Sequence, residues 1–184
     1  MKALLIVDVQ NDFCPGGALP APDGHLVVPV INKVMDEFEQ IIASKDWHPE
    51  KTRHFEKWPV HCVQHTYGAA FHPNLDEEKI DQVFLKGTGK EDDGYSAFEA
   101  TNIDMIKYLK EHNVKDLYVC GLTTDYCVKA SALDAKKNGF NVFVIEDAIR
   151  AVNKNKDDGE RALEEMRYKH IIFVHSDQIG DESV

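Results

Sequence analysis

The chain reads as an α/β protein, a single domain over residues 1–184 with one doubly wound, mostly parallel sheet of about six strands and helices on both faces. Three observations predict this. Short apolar runs alternate with amphipathic stretches from end to end, the rhythm of β-α-β units. A length of 184 residues supports one sizeable core rather than two. No internal repeat, low-complexity tract or interdomain linker breaks the order.

The elements follow in sequence. Residues 3–9 form the first strand. Their apolar run stops at Asp8, too short for the hydrophobic stretch of a secretory leader, so it reads as a core strand of a cytoplasmic protein. Residues 25–37 read as a helix, 40–44 as the second strand and 82–86 as the third. A helix over 102–111 sets Ile103 and Ile106 on one face. Residues 116–120 form the fourth strand. A helix over 125–138 aligns Val128, Ala132 and Ala135, with Leu133 beside them. A strand over 141–145, a helix over 157–167 and a strand over 170–174 complete the set. Two long irregular stretches, 11–24 and 46–78, interrupt it, and loops this long in a compact domain are usually functional.

Composition narrows the function. Lys and Arg number 21 against 32 Asp and Glu, a formal net charge of −11, which argues against nucleic acid or an anionic membrane as partner. No apolar run approaches the ~20 residues of a membrane span. The four cysteines show no Cys-x-x-Cys spacing, so zinc-finger, thioredoxin and disulfide-framework readings are disfavoured. A small-molecule substrate remains open, as does assembly into a homo-oligomer.

The chemistry gathers at strand ends, where open α/β sheets bind ligands. The apolar run 117–120 leads into Gly121-Leu122-Thr123-Thr124-Asp125-Tyr126-Cys127, a strand, a tight turn and a cysteine on the first turn of a helix. A helix N-terminus favours the thiolate, and its N–H groups can hold an oxyanion. The ordinary alternative is a cysteine packed as a small hydrophobe. Asp8, Asp46 and Lys86 fall at or just past the ends of the first three strands, and Cys127 opens the helix after the fourth. Core packing alone does not predict four reactive side chains in those places.

The loop from Asp46 also holds His48, His54, Glu56 and His61. Asp46 and His48, two residues apart, can approach one ion from an extended backbone, and His61 returns later in the loop. Imidazole with carboxylate suits zinc, iron or manganese and leaves positions open. The alternative is a polar surface loop in a chain with nine histidines. Cys62 and His61 are neighbours and point opposite ways on an extended chain, so one of them faces the site. Cys14, Cys120, His72, His112, His170 and His175 read as structural or exposed, and the run 153–160 as a solvated loop.

Together these segments resemble the nicotinamidase/pyrazinamidase branch of the isochorismatase-like cysteine hydrolase superfamily. The resemblance rests on Asp8-Val9-Gln10-Asn11-Asp12-Phe13 with Pro15-Gly16-Gly17-Ala18-Leu19, and on Lys45-Asp46-Trp47-His48-Pro49. It continues through Trp58-Pro59-Val60-His61-Cys62, Phe84-Leu85-Lys86-Gly87, Tyr95-Ser96-Ala97-Phe98 and the segment ending at Cys127-Val128. It departs at 89–94, a polar, acidic stretch that reads as mobile and leaves the pose of Tyr95 open, and at Thr123, where many relatives carry alanine.

The resemblance implies hydrolysis of nicotinamide to nicotinate and ammonia through a thioester on Cys127, with pyrazinamide also accepted and a place in NAD salvage. Asp8 would carry the proton and Lys86 would supply positive charge. The oxyanion would rest on the N–H groups of Thr123 and Cys127, with a cis peptide before Thr123. Asp46, His48 and His61 would hold one divalent metal ion, zinc before iron or manganese, with His54 or Glu56 as a fourth ligand. The ion would orient a pyridine ring held between Phe13 and Trp58, near Tyr95. Two rivals stand beside this. One is a relative hydrolysing another small amide, ureide or carbamoyl compound without the metal. The other is a non-catalytic binding subunit on the same fold.

Overall fold

The computed structural model describes residues 1–180. Its strands are β1 (Lys2–Val7), β2 (Gln40–Asp46), β3 (Gln82–Lys86), β4 (Asp116–Leu122), β5 (Asn141–Arg150) and β6 (Ile172–Val174). They form one sheet in the order β3-β2-β1-β4-β5-β6, and every adjacent pair is parallel. The helices are α1 (Val27–Val34), α2 (Met105–Glu111), α3 (Lys129–Lys137) and α4 (Asp158–Tyr168).

Strand alternation explains why both faces are covered. Leu4 and Ile6 of β1 pack with Val27, Val28, Ile31 and Val34 of α1 on one face. Ala3, Leu5 and Val7 pack on the other with Met105 and Leu109 of α2, Ala132 and Ala135 of α3, and Met166 of α4. Residues 3–7 have no exposed surface. A strand buried on both faces reads as a continuous apolar run, which is how β1 stands out. The order reverses between β1 and β4, so the crevice for a ligand opens beyond their carboxyl ends. Among the described residues, no helix is long and apolar enough to cross a membrane.

Several boundaries differ from the sequence expectation. β1 ends at Val7 rather than at residue 9, because Asp8 turns into the left-handed region at φ 49°. The helix expected over 25–37 is α-helical only over Val27–Val34 and tightens to single 3-10 turns at both ends. α2 starts at Met105 rather than 102, where the Asp104 side chain caps it by accepting from Lys107 N–H at 3.0 Å. β5 runs five residues beyond the expected end at 145, pairing Ile149 and Arg150 with Gly121 and Leu122 after a register shift. β6 starts at Ile172 rather than 170, since His170 has φ 59°.

Gly121 also departs from expectation. It belongs to β4 rather than to a turn. At φ 109°, a Cβ there would lie 2.1 Å from the Val7 carbonyl oxygen, so only glycine lets β4 close against β1 at the crevice.

Candidate active site

The parallel register sets the site. Asp46 and Lys86 are paired in the last rung of β2 and β3, and Asp8 follows β1 with its N–H donating to Ser44 O at 3.1 Å. The Leu122–Thr123 peptide is cis, and Cys127 follows within a π-helical turn, Thr124–Val128, that leads into α3. The cysteine therefore sits in a wider turn than the first α-turn the sequence predicts. Such turns are rare and frequent at functional sites.

Lys86 is the hub. Its ammonium, without exposed surface, pairs with Asp46 Oδ1, lies 2.7 Å from Asp8 Oδ2 and 3.3 Å from Cys127 Sγ, and donates to Gly94 O at 3.0 Å. Ser44 Oγ donates to Asp8 Oδ1 at 2.7 Å. Asp8 Oδ2 touches the ammonium as a charge but makes no aligned hydrogen bond, so it keeps a lone pair for another proton. Ligand-type atoms of Asp8, Asp46 and Cys127 lie within 4.8 Å of one another. The lysine ammonium pairs with all three, so the cationic place among them is already taken.

Burial sets the direction of the proton affinities of Asp8 and Cys127, and the ion pairs set those of Lys86 and Asp46. Burial raises the Asp8 carboxyl above its usual range despite the opposing Lys86 charge. It also pushes the Cys127 thiol well up, again against Lys86. That shift favours the thiol over the thiolate at Cys127 and works against the positive end of the helix, so attack by the sulfur calls for a base. Burial works against the charged form of Lys86 too, but Asp46 and Asp8 outweigh it and hold the ammonium protonated. Asp46 is likewise held well below the carboxylate range by Lys86, with help from His48 and His61, in spite of its burial.

A second cluster adjoins the first. Ring nitrogens of His48, His54 and His61, all buried, lie within 4.8 Å of one another. Asp46 Oδ2 stands 3.4 Å from His48 Nε2 and 3.6 Å from His61 Nε2. Each imidazole is aimed by a contact at its far nitrogen: His48 Nδ1 to Gly87 O at 2.8 Å, His61 Nδ1 to Pro59 O at 2.7 Å and His54 Nδ1 to Asp92 Oδ1 at 2.8 Å. That arrangement leaves the Nε2 lone pairs turned inward, as metal-ligating histidines require. His48 Nε2 is buried with no hydrogen-bond partner, an orphaned acceptor that a metal ion would satisfy. Burial lowers the pKa of His54 and favours the neutral ring that a metal needs. His54 stands inside this cluster, while Glu56 is exposed on the loop. Cys62 is buried and its N–H donates to Asp12 Oδ2 at 2.8 Å.

One pocket joins the two clusters. Cys127 and Thr123 line it together with Asp46, His54 and His61, and Phe13, Trp58, Tyr95 and Tyr126 supply aromatic surface. Phe13 belongs to the core as well as the pocket, with its ring 5.5 Å from that of His61. Trp58 Nε1 donates to Tyr95 Oη at 3.1 Å, which fixes the tyrosine in the wall.

Sequence reasoning missed several contributors. Val152 enters the pocket from beside the run expected to be solvated, pinned because the Asp125 carboxylate accepts from Val152 N–H at 3.0 Å and Asn153 N–H at 2.8 Å. Gln10, wholly buried, donates to Asp46 O at 2.8 Å and Ala69 O at 2.9 Å and accepts from Asp46 N–H at 2.9 Å. Its place in the Asp-Val-Gln-Asn-Asp-Phe segment was the only sequence signal. Gln10→Leu leaves those buried backbone groups unpaired and is expected to cost about 2–3 kcal/mol, read as a fall in the urea midpoint.

A profile of the isochorismatase domain matches residues 2–178. The chain belongs to the isochorismatase family. Within it, the chain is 41% identical over 194 residues to the nicotinamidase of Escherichia coli (strain K12), covering 90% of each protein. A pyrazinamidase of Pyrococcus horikoshii, solved in complex with zinc, superposes with a TM-score of 0.85 at 42% identity, covering 95% of this chain and 98% of that one. PnC1 from L. infantum, solved in complex with nicotinate, superposes at 0.89 with 34% identity, covering 96% and 93%. Membership in the isochorismatase family agrees with the all-parallel sheet and with the segments that carried the resemblance.

Proposed function

We propose that the chain is a nicotinamidase that also accepts pyrazinamide, hydrolysing the ring carboxamide to the acid and ammonia. The observation that carries this reading is that one pocket is lined both by Cys127 and by Asp46, His54 and His61, with aromatic side chains around it. Similarity to nicotinamidases and pyrazinamidases supports the substrate class. A place in NAD salvage and a cytoplasmic location belong to the same proposal.

In this reading Asp8 takes the proton from the Cys127 thiol, and the sulfur attacks the carboxamide carbon. The amide oxygen becomes an oxyanion held by the N–H groups of Thr123 and Cys127. Loss of one such donor typically costs about 3 kcal/mol in the transition state. Asp8 then gives its proton to the nitrogen, the C–N bond breaks and ammonia leaves a thioester behind. A water molecule next surrenders a proton to Asp8 and adds to the thioester carbon. The C–S bond breaks, and the proton returns to Cys127 as the acid departs. Throughout, Lys86 stays charged and stabilises the negative sulfur. Phe13 and Trp58 pack on the ring faces.

Asp46, His48, His61 and His54 would hold the metal ion, zinc in preference to iron or manganese. When bound, it supplies a Lewis-acid point that receives the ring nitrogen and fixes the ring's orientation.

The test is stoichiometric release of nicotinate and ammonia from nicotinamide by zinc-loaded protein. Chelation is expected to lower the rate and zinc to restore it. No release by the loaded protein, with turnover of a ureide or carbamoyl compound instead, would refute the substrate assignment.

A further inference from the structure

We propose that Asp92 is a positioning residue that couples the histidine cluster to the aromatic wall of the pocket, through a strap formed by residues 90–94. The inference rests on the reading of His54 as a metal ligand.

The sequence marks 89–94 as polar and mobile, yet the structure fastens it at both ends. Arg53 N–H donates to Lys90 O at 2.8 Å, Thr52 Oγ1 donates to Glu91 O at 3.3 Å, and Arg53 pairs with Glu91 at 3.2 Å. At the other end, Gly94 O accepts from the Lys86 ammonium at 3.0 Å. Between these anchors Asp92 turns inward.

Its two oxygens do different work. Oδ1 meets His54 Nδ1 at 2.8 Å and also accepts from Tyr95 Oη at 2.8 Å. Oδ2 takes the Lys57 ammonium. Tyr95 Oη in turn accepts from Trp58 Nε1 at 3.1 Å. One carboxylate oxygen therefore orients both the imidazole and the tyrosine–tryptophan pair. By accepting the Nδ1 proton, Asp92 keeps the His54 Nε2 lone pair turned toward His48 and His61. By accepting the tyrosine proton, it leaves the tyrosine oxygen free to receive Trp58. Metal affinity and ring binding should then share this residue, though it lines neither the cluster nor the pocket.

The experiment compares wild-type protein with Asp92→Asn and Tyr95→Phe. Zinc affinity is read by competition with a chelator, and KM and kcat for nicotinamide are read on fully zinc-loaded protein. Asp92→Asn is expected to weaken zinc binding about 10- to 100-fold, as loss of an outer-shell carboxylate does. It should also raise KM by about 3- to 10-fold, the worth of a hydrogen bond in the pocket wall. Tyr95→Phe cuts only the aromatic arm, so KM should rise while zinc affinity stays at the wild-type value. A merely structural tie would lower the melting temperature of the metal-free protein and leave zinc affinity unchanged. Wild-type zinc affinity in folded Asp92→Asn overturns the inference while leaving the proposed function standing. Equal loss of zinc affinity in Tyr95→Phe overturns the division into two arms, and that comparison can be made even if Asp92→Asn does not fold. Absence of zinc binding by the wild type would refute the metal reading itself.

Discussion

Lys86→Met is expected to destabilise the metal-free protein by about 3–5 kcal/mol at neutral pH and to abolish measurable hydrolysis. The lysine has no exposed surface and is the one cation contacting Asp8, Asp46 and Cys127 among the described residues. Methionine has similar bulk, so the loss is of charge rather than packing. Asp8, already raised above the usual carboxylate range by burial, then loses the ammonium that opposes the rise. Its folded-state pKa climbs further above its unfolded value. A group raised in the folded state favours folding at low pH and loses that contribution as pH rises through the folded pKa. The penalty of Lys86→Met should therefore be largest near neutral pH and shrink toward about pH 4, where a proton replaces the ammonium. Urea midpoints of wild type and variant across that range measure it. A difference that does not vary with pH would show that the buried charges are compensated elsewhere.

Cys127→Ala is expected to lower kcat by at least about 10⁴-fold, the scale seen when a nucleophile is removed from a set of groups that act together. The substitution leaves the three histidines and Asp46 in place, so zinc affinity should stay within about twofold of wild type. The sulfur packs beside Lys86 in a buried place, and its loss creates a small cavity worth about 1 kcal/mol or less. Low activity with normal zinc binding and a nearly normal urea midpoint therefore assigns the defect to chemistry. Retention of even a hundredth of wild-type kcat would argue for direct attack by water and against a thioester.

The fold was legible where burial on both faces leaves a continuous apolar run, as in residues 3–7, and where helices show a clean stripe, as Val128, Ala132 and Ala135 do. The far half of β5 was not. Glu146 and Asp147 break its apolar run, and the pairing of Ile149 and Arg150 resumes only after a shifted register. At the site, Asp8, Asp46, Lys86 and Cys127 could be picked out because a parallel sheet puts strand ends on one edge. The choice between His54 and Glu56 could not be made from the loop sequence, since it depends on how the short 3-10 turn Arg53–Glu56 faces. Asp92 was invisible for a related reason. Its partners His54 and Lys57 lie 38 and 35 residues away, and nothing local distinguishes it from Glu91 or Asp93. For Cys127 the sequence showed the neighbouring positive charge that favours a thiolate but not the burial that pushes the thiol up against it.

Covalent catalysis by Cys127 is the central claim, and acid quenching during turnover tests it most directly. Zinc-loaded protein is mixed with nicotinamide, quenched in acid within the first turnovers, digested and analysed by mass spectrometry. The expected product is a nicotinoyl group on the peptide containing Cys127, lost on treatment with hydroxylamine and absent from Cys127→Ala. A nicotinoyl group on Cys14, Cys62 or Cys120, or continued turnover by Cys127→Ala, would contradict it.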